Sequence, residues 1–144
     1  YSAYHQAFPE IQQAWTDIVK TVHTERMLFT PMGRRMIFLE RIHDDALDSI
    51  IAFIPQSTIG DKVSSVIYLC HEDEHWPDSA HMTLNIHDAL IAIHKVDDKD
   101  VVTSIMKKHA ESPIIIRGNP VSIPTEFKHS VPDEDGIHRW STLQ

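Results

Sequence analysis

The sequence predicts an α+β fold in a single unit spanning residues 1–144, on three observations. The chain has 144 residues and 42% hydrophobic content, which suits one compact unit with its own core. Apolar residues recur in several stretches at the three-to-four-residue spacing of amphipathic helices. Between these stretches lie short apolar runs, bounded by glycine, proline and asparagine, that are typical of β-hairpins.

The first elements are a helix and a short hairpin. Pro9 stands where a helix can begin, and apolar residues follow it at helical spacing, which predicts a helix over 9–27. Two apolar runs, at 28–30 and 36–38, flank the turn residues Pro31-Met32-Gly33. We expect these runs to form two short strands.

Two further helices are expected next, separated by a proline. Apolar residues from Ala46 to Ile54 predict a helix that Pro55 stops, because proline lacks the amide hydrogen and its ring obstructs the preceding turn. Thr58 followed by Asp61 has the spacing of a capping box. This pattern predicts that a separate helix begins just before Thr58.

The stretch from His81 to Val96 has the pattern of a β-hairpin. Its first half alternates apolar and polar residues, and its second half, 90–93, is continuously apolar with β-branched members. The polar pair His87-Asp88 lies between the halves. The sequence therefore predicts a hairpin with an acid at its bend.

The last third of the chain predicts one more helix and two more strands. Asp97 or Asp98 can cap a helix that ends in the basic residues 107–109, as the helix dipole favours. Short strands are expected at 113–116 and 121–123, joined by Gly118-Asn119-Pro120, and the residues from Pro132 on are expected to form a polar tail.

Composition limits the classes of function. The formal net charge of −8 argues against a stand-alone nucleic-acid-binding domain, which is expected to be basic, but allows a part of a larger enzyme that contributes acids to a metal site. No run of eighteen apolar residues and no signal pattern are present, so no membrane association is expected. The lone Cys70 predicts a reducing, cytoplasmic setting.

Asp88 is the residue most suited to chemistry. A carboxylate at a tight hairpin bend is held rigidly and points away from the sheet, which suits a ligand for Mg²⁺. In phosphoryl transfer with two metal ions, one ion activates the attacking hydroxyl and the other holds the leaving group. The alternative is a turn aspartate that bonds its own backbone, as most loop aspartates do.

Four segments resemble conserved motifs of family A (DNA polymerase I-like) DNA polymerases. Asn85-Ile86-His87-Asp88-Ala89-Leu90 resembles motif C, usually written V-H-D-E. In the family's order, Tyr4 to Ile11 resembles Y-x-x-x-Y/F-P-x-V, Thr30 to Arg35 resembles T-x-x-G-R-R, and Ile54 to Asp61 resembles P-x-Q-G-T-A-A-D. The strand at 113–116 and Trp140 are similar to the family's C-terminal end. The segments Pro-Gln-Ser-Thr and His-Asp-Ala are closer to phage-type members than to the bacterial repair enzyme.

The resemblance implies the C-terminal palm portion of a DNA polymerase that acts in DNA replication. Residues 1–55 would be the helices and short hairpin after the fingers, and 56–144 the palm with its motif C hairpin packed against amphipathic helices. The implied partners are primer–template DNA, deoxynucleoside triphosphates and the N-terminal, fingers-containing portion of the polymerase. A phage-encoded enzyme would act in the cytoplasm of its bacterial host.

The resemblance also implies roles for individual residues. Asp88 would bind catalytic Mg²⁺ in a two-metal site completed by an aspartate outside this chain, and His87 would lie near the primer terminus. Gln56 would contact the minor groove of the primer–template duplex. Arg34 or Arg35 would contact the duplex backbone, because a guanidinium donates two hydrogen bonds to a phosphate.

Several residues depart from the family pattern. Ala89 stands where the family has a Glu after the metal-binding Asp, and Asp48 and Ala52 stand at the positions of its minor-groove Arg and Asn. Motif A (D-Y-S-x-I-E) and motif B (R-x-x-x-K, then Y-G) have no counterpart in the chain. The chain alone is therefore expected to be inactive, and a non-catalytic palm-like module that scaffolds or binds nucleic acid is the alternative.

His71-Glu72-Asp73-Glu74-His75 matches the H-E-x-x-H pattern of zinc metalloproteases. In those enzymes the two histidines lie one helical turn apart, whereas here Trp76-Pro77 stops the helix at once. We interpret the stretch as a solvated helix end, with zinc proteolysis as a remote alternative. Seven other histidines lack metal-ligand spacing and are expected at the surface: His5, His23, His43, His94, His109, His129 and His138.

Overall fold

A computed structural model describes residues 6–143 and confirms the α+β fold. Within these residues, each of three long helices is followed by an antiparallel hairpin of two strands, and a fourth hairpin follows the third. None of the helices in this range is both long and apolar enough to cross a membrane. The elements are α1 (Pro9–Glu25), β1 (Met27–Phe29), β2 (Arg35–Ile37), α2 (Leu47–His71), β3 (His81–Ile86), β4 (Ala89–Ile93), α3 (Lys99–Ala110), β5 (Ile114–Ile116), β6 (Asn119–Val121), β7 (Ser130–Pro132) and β8 (His138–Leu143).

The first helix and hairpin agree with the sequence prediction. Arg26 caps the C-terminal end of α1, and its left-handed backbone (φ 56°) lets its amide donate to the Val22 carbonyl at 3.1 Å. The Arg26 side chain donates from Nε to the Phe38 carbonyl at 3.1 Å and from a terminal nitrogen to the Glu40 carbonyl. These bonds fix the end of the hairpin to the end of α1.

Helix α2 runs through Pro55 without a break, so the prediction of two helices separated at this proline is wrong. Pro55 is exposed, and a proline inside a helix costs about 3 kcal/mol. Both halves of the helix are packed, because Ile50 is buried before Pro55 and Val66 is buried after it. This burial outweighs the local cost of the proline. The division between 1–55 and 56–144 therefore falls inside a helix.

The predicted capping box at Thr58 does not form. The Thr58 hydroxyl donates to the Ile54 carbonyl at 2.6 Å, one turn back in the same helix. Asp61, the second member of the expected box, accepts a hydrogen bond from Arg34 instead. A capping box needs a free helix start, and these residues lie inside α2.

Two separate clusters of buried side chains pack against α2. The first core joins α1, β1 and the first half of α2 through Val22, Leu28 and Ile50. The second core joins the end of α2 to α3 through Val66, Cys70 and Ile105. Helix α2 is thus the one long element to which both cores attach.

The C-terminal region differs from the prediction in two places. Strands β5 and β6 are joined by the two-residue turn Arg117-Gly118, both with positive φ, so Asn119 and Pro120 lie in β6 and not in the turn. The expected polar tail instead forms the β7–β8 hairpin. The Asp133 carboxylate organises its turn by accepting from the Asp135 and Ile137 amides at 3.0 and 2.9 Å.

Candidate functional site

The structure confirms the predicted β3–β4 hairpin, and the candidate functional site is the tip of this hairpin. Ile86 pairs with Ala89, so His87 and Asp88 alone form the turn. His87 has a left-handed backbone with φ 56°, as tight two-residue turns require. Sequence alternation and the polar pair at the bend therefore predicted this turn to the residue.

The hairpin packs against the second core on one side, while the two residues of its turn are exposed. Met82 of β3 and Leu90 of β4 pack against the second core. His87 and Asp88 are both exposed, and neither side chain makes a hydrogen bond or ion pair within the described part of the chain. The Asp88 carboxylate does not bond its own turn, so it is available to a cation or another outside partner.

A single carboxylate is a partial fit to a magnesium site. Mg²⁺ is bound by one or two protein carboxylates together with substrate phosphates and water. Residues 6–143 contain no group of three or more histidine, cysteine, aspartate or glutamate side chains that could hold a metal ion. Asp88 can therefore act as one ligand, and the others must come from outside the described residues.

The turn carrying Arg34 and Arg35 is anchored to α2. Arg34 Nε donates to Asp61 Oδ1 at 2.7 Å, and a second guanidinium nitrogen lies 2.5 Å from the same oxygen. Thr30, which is buried, donates from its hydroxyl to Asp61 Oδ2 at 3.3 Å and accepts from the Arg34 amide at 3.0 Å. The hydrogen bond and the charge of Asp61 raise the pKa of Arg34.

The structure thus distinguishes the two arginines. Arg34 is already neutralised by Asp61, whereas Arg35, on β2, is exposed and has no side-chain partner among the described residues. Arg35 is therefore the cation available to an outside anion.

The contact between Arg34 and Asp61 joins two of the polymerase-like segments. Gln56 is exposed on α2, roughly 7 Å along the helix axis from Asp61. The structure thereby brings the Thr30–Arg35 turn to the segment that carries Gln56. The hairpin tip with Asp88 is held separately, through the second core. Tyr4 and His5 lie outside the described residues, as does the side chain of Trp140.

The H-E-x-x-H segment does not have the geometry of a zinc-protease helix. Helix α2 ends at His71, so His75 lies beyond it rather than one turn further along. His71 and His75 are exposed, as expected for a solvated helix end. Asp73 departs from that expectation, because its side chain is only 6% exposed.

Asp73 binds two cationic or polar side chains from α3. Its Oδ2 accepts from Lys108 Nζ at 2.9 Å and from His109 Nε2 at 2.8 Å, and its other oxygen accepts from the His75 amide at 3.2 Å. These bonds hold the pKa of the Asp73 carboxyl well below its usual range. His109 is correspondingly half-buried rather than at the surface. No local pattern indicates this contact, because the two partners are 36 residues apart.

An open depression of about 430 Å³ surrounds Asp73, lined also by Leu69, Glu72, Glu74 and Lys108. The nearby Cys70 is fully buried, and burial together with the charge of Asp73 raises the pKa of its thiol to about 11. A buried, protonated thiol is a poor nucleophile. This cluster therefore stabilises the fold and lacks an activated nucleophile.

Comparison of the chain with protein-family models, with curated proteins and with solved structures gives no match. The resemblance to family A DNA polymerases consequently rests on the four motif segments alone.

Proposed function

We propose that this chain is the C-terminal palm portion of a phage-type family A DNA polymerase and supplies one metal-binding aspartate, Asp88. The observation that supports this most is the hairpin tip. The segment that resembles motif C forms a tight turn, and its exposed carboxylate has no partner among the residues that the structure describes. A metal ligand at a reaction centre needs a carboxylate that is available and a supporting element that is held in place by packing.

In the proposed reaction, a primer 3′-hydroxyl attacks the α-phosphate of a deoxynucleoside triphosphate and pyrophosphate leaves. Bound Mg²⁺ would supply charge stabilisation for the attacking and leaving oxygens. The Asp88 carboxylate would hold the Mg²⁺ in place, and the neighbouring His87 would position the primer end. Most of the rate enhancement in such reactions comes from positioning and electrostatic stabilisation.

The DNA duplex is bound by other residues of the chain. Gln56, exposed on α2, faces the minor groove in this proposal. Arg35 contacts a backbone phosphate, because it is the arginine of the pair that Asp61 does not occupy. Arg34 acts indirectly, by fixing the turn that presents Arg35.

The activity requires further protein, in the same polypeptide or in a second one. The second metal-binding aspartate and the nucleotide-binding helix have no counterpart here. The outer side of the β3–β4 hairpin also exposes apolar side chains, with Leu84 56% and Ile93 62% exposed. Exposed apolar surface on a sheet face is typical of a region that contacts other protein. The unpaired Cys70 suits a reducing cytoplasm, that of a bacterial host if a phage encodes the chain.

A palm-like module that scaffolds or binds nucleic acid without catalysis is the second candidate. Ala89, in place of the family's Glu, favours it, because a second carboxylate beside Asp88 is missing. The two candidates differ in whether the Asp88 carboxylate is needed in the assembled complex.

The proposal is tested by isolating the partner and reconstituting activity. A pull-down from the native source is searched for a polypeptide with an Asp-Tyr-Ser-type motif, and primer extension is assayed with either component and with both. Mg²⁺-dependent extension only with both components supports the proposal. Lack of extension when a suitable N-terminal portion is supplied supports the non-catalytic module.

A further inference from the structure

Helix α2 contains two residues that weaken helices, close together. Pro55 removes one main-chain hydrogen bond, and Gly60, five residues on, has the greatest backbone freedom. Both lie in the stretch 55–60, which we term the link. The link stands between the last residue of α2 that packs on the first core, Ile54, and the buried Val66 of the second core.

Apart from α2, the two cores are built from different helices and strands. The first is built from α1, the β1–β2 hairpin and the start of α2. The second is built from the end of α2, α3 and the β3–β4 hairpin. A bend of α2 at the link would therefore move one core relative to the other while leaving the side-chain packing inside each core unchanged.

A set of side-chain hydrogen bonds joins the two sides of the link. Thr30 and Arg34 belong to the turn of the β1–β2 hairpin, which packs on the first core, whereas Asp61 lies on α2 just beyond Gly60. The Arg34 guanidinium and the Thr30 hydroxyl both bond the Asp61 carboxylate. Because these bonds connect the two sides of Pro55, they oppose a bend there.

We propose that the link is a hinge between the two cores and that the Arg34–Asp61 contact is its latch. With the latch formed, the angle between the halves of α2 is fixed. Without it, the hinge bends more widely and changes the separation between the Arg35 turn and the Asp88 turn. Arg34 is half exposed, so an outside anion can compete with Asp61 for its guanidinium. The inference concerns the free chain and stands independently of the proposed polymerase function.

The hinge is tested by pulsed electron paramagnetic resonance distances in the free chain. Cys70→Ala removes the only cysteine, and nitroxide labels are placed at Gln12→Cys on α1 and Ser104→Cys on α3, two exposed positions on opposite sides of the link. The distance distribution is compared between this labelled background and its Asp61→Asn variant. Asp48→Asn, another aspartate of α2 that is exposed and has no side-chain bond among the described residues, is the matched control.

We expect Asp61→Asn to broaden the distribution and Asp48→Asn to leave it unchanged. Adding Pro55→Ala restores the missing hydrogen bond and should narrow the Asp61→Asn distribution again. Equal widths for Asp61→Asn and Asp48→Asn would overturn the latch, and a distribution that stays broad after Pro55→Ala would overturn the hinge. Circular dichroism checks that each variant is folded, and Arg34→Gln removes the same latch if Asp61→Asn does not fold.

Discussion

Lys62 Nζ donates to the Ser112 carbonyl at 2.7 Å and to the Ser112 hydroxyl at 2.6 Å, although the residue is only 7% exposed. A third bond, of 2.9 Å, goes to the His109 carbonyl at the end of α3. Burial lowers the pKa of this ammonium group. Lys62 thereby places a positive charge at the C-terminal end of a helix, where unpaired carbonyls accept it.

Replacing this lysine should be costly. Lys62→Met keeps the length of the side chain but removes the donor to the Ser112 carbonyl and hydroxyl, whereas the His109 carbonyl still accepts from the Ser112 hydroxyl at 2.8 Å. A buried acceptor left without its donor costs about 1–3 kcal/mol. We expect urea unfolding to show a loss of about 3 kcal/mol. Lys20→Met, at an exposed position of α1, is the control and should change stability by less than about 0.5 kcal/mol. Equal midpoints for the two variants would contradict the capping role.

The Asp73 contacts predict a specific pH dependence. Because the folded-state pKa of Asp73 is lowered, its contribution to stability is present above the unfolded value of about 3.9 and is lost as the pH falls below it. Asp73→Asn should therefore unfold at lower urea concentration than the wild type at pH 7, and this difference should shrink between about pH 4 and pH 2.

The exposed neighbour Glu74 provides the comparison for Asp73. Glu74→Gln should leave the urea midpoint close to the wild-type value across the same pH range, because its side chain is 87% exposed. Glu111, whose pKa is also lowered by bonds from Thr125, is present in every variant and cancels from the differences. A constant gap between the wild type and Asp73→Asn from pH 7 to pH 2 would refute the assignment.

Gly60 offers a stabilising substitution. A Cβ added at Gly60 meets no atom within 4 Å, and the residue lies inside α2. Gly60→Ala should therefore stabilise the chain by about 1 kcal/mol, through helix propensity. Gly33→Ala is the contrasting variant, because its φ of +90° is strained for an alanine and it should destabilise. Thermal unfolding by circular dichroism measures both changes.

Cys70 should report on unfolding. Its side chain is fully buried and its thiol pKa is raised to about 11, so the thiolate is scarce near pH 8. We expect a disulfide reagent such as Ellman's to react slowly with the native chain and rapidly in urea, with a rate that follows the unfolded fraction. Rapid reaction of the folded chain would show that the second core is open to solvent.

The sequence alone predicts the elements that depend on a local pattern of residues. Alternation over 82–86 and the polar pair at 87–88 predicted the β3–β4 hairpin, and helical spacing after Pro9 predicted α1. It failed at Pro55, because burial on both sides of the residue depends on tertiary contacts that spacing does not show. The polar run 133–136 predicts a tail, whereas it forms the turn of the β7–β8 hairpin. The strand that follows it contains few apolar residues, so it lacks the sequence pattern of a strand.

Contacts between distant residues could not be predicted. Asp73 with His109, and Lys62 with Ser112, each join positions at least 36 residues apart. Each side chain by itself resembles an ordinary surface residue, and only the packing of α2 against α3 makes them partners. The Arg34–Asp61 contact is similar, although both residues lie in segments that the resemblance had already selected.

The role of Asp88 is measured most directly by primer extension in the assembled polymerase. The chain with Asp88→Asn is combined with the portion that carries motifs A and B, and its rate is compared with the wild type and with Asp97→Asn, an exposed aspartate outside the hairpin. If Asp88 binds the catalytic metal, we expect Asp88→Asn to lower the extension rate by several orders of magnitude with unchanged thermal stability, and Asp97→Asn to extend at the normal rate. Extension by Asp88→Asn at the wild-type rate would contradict this role.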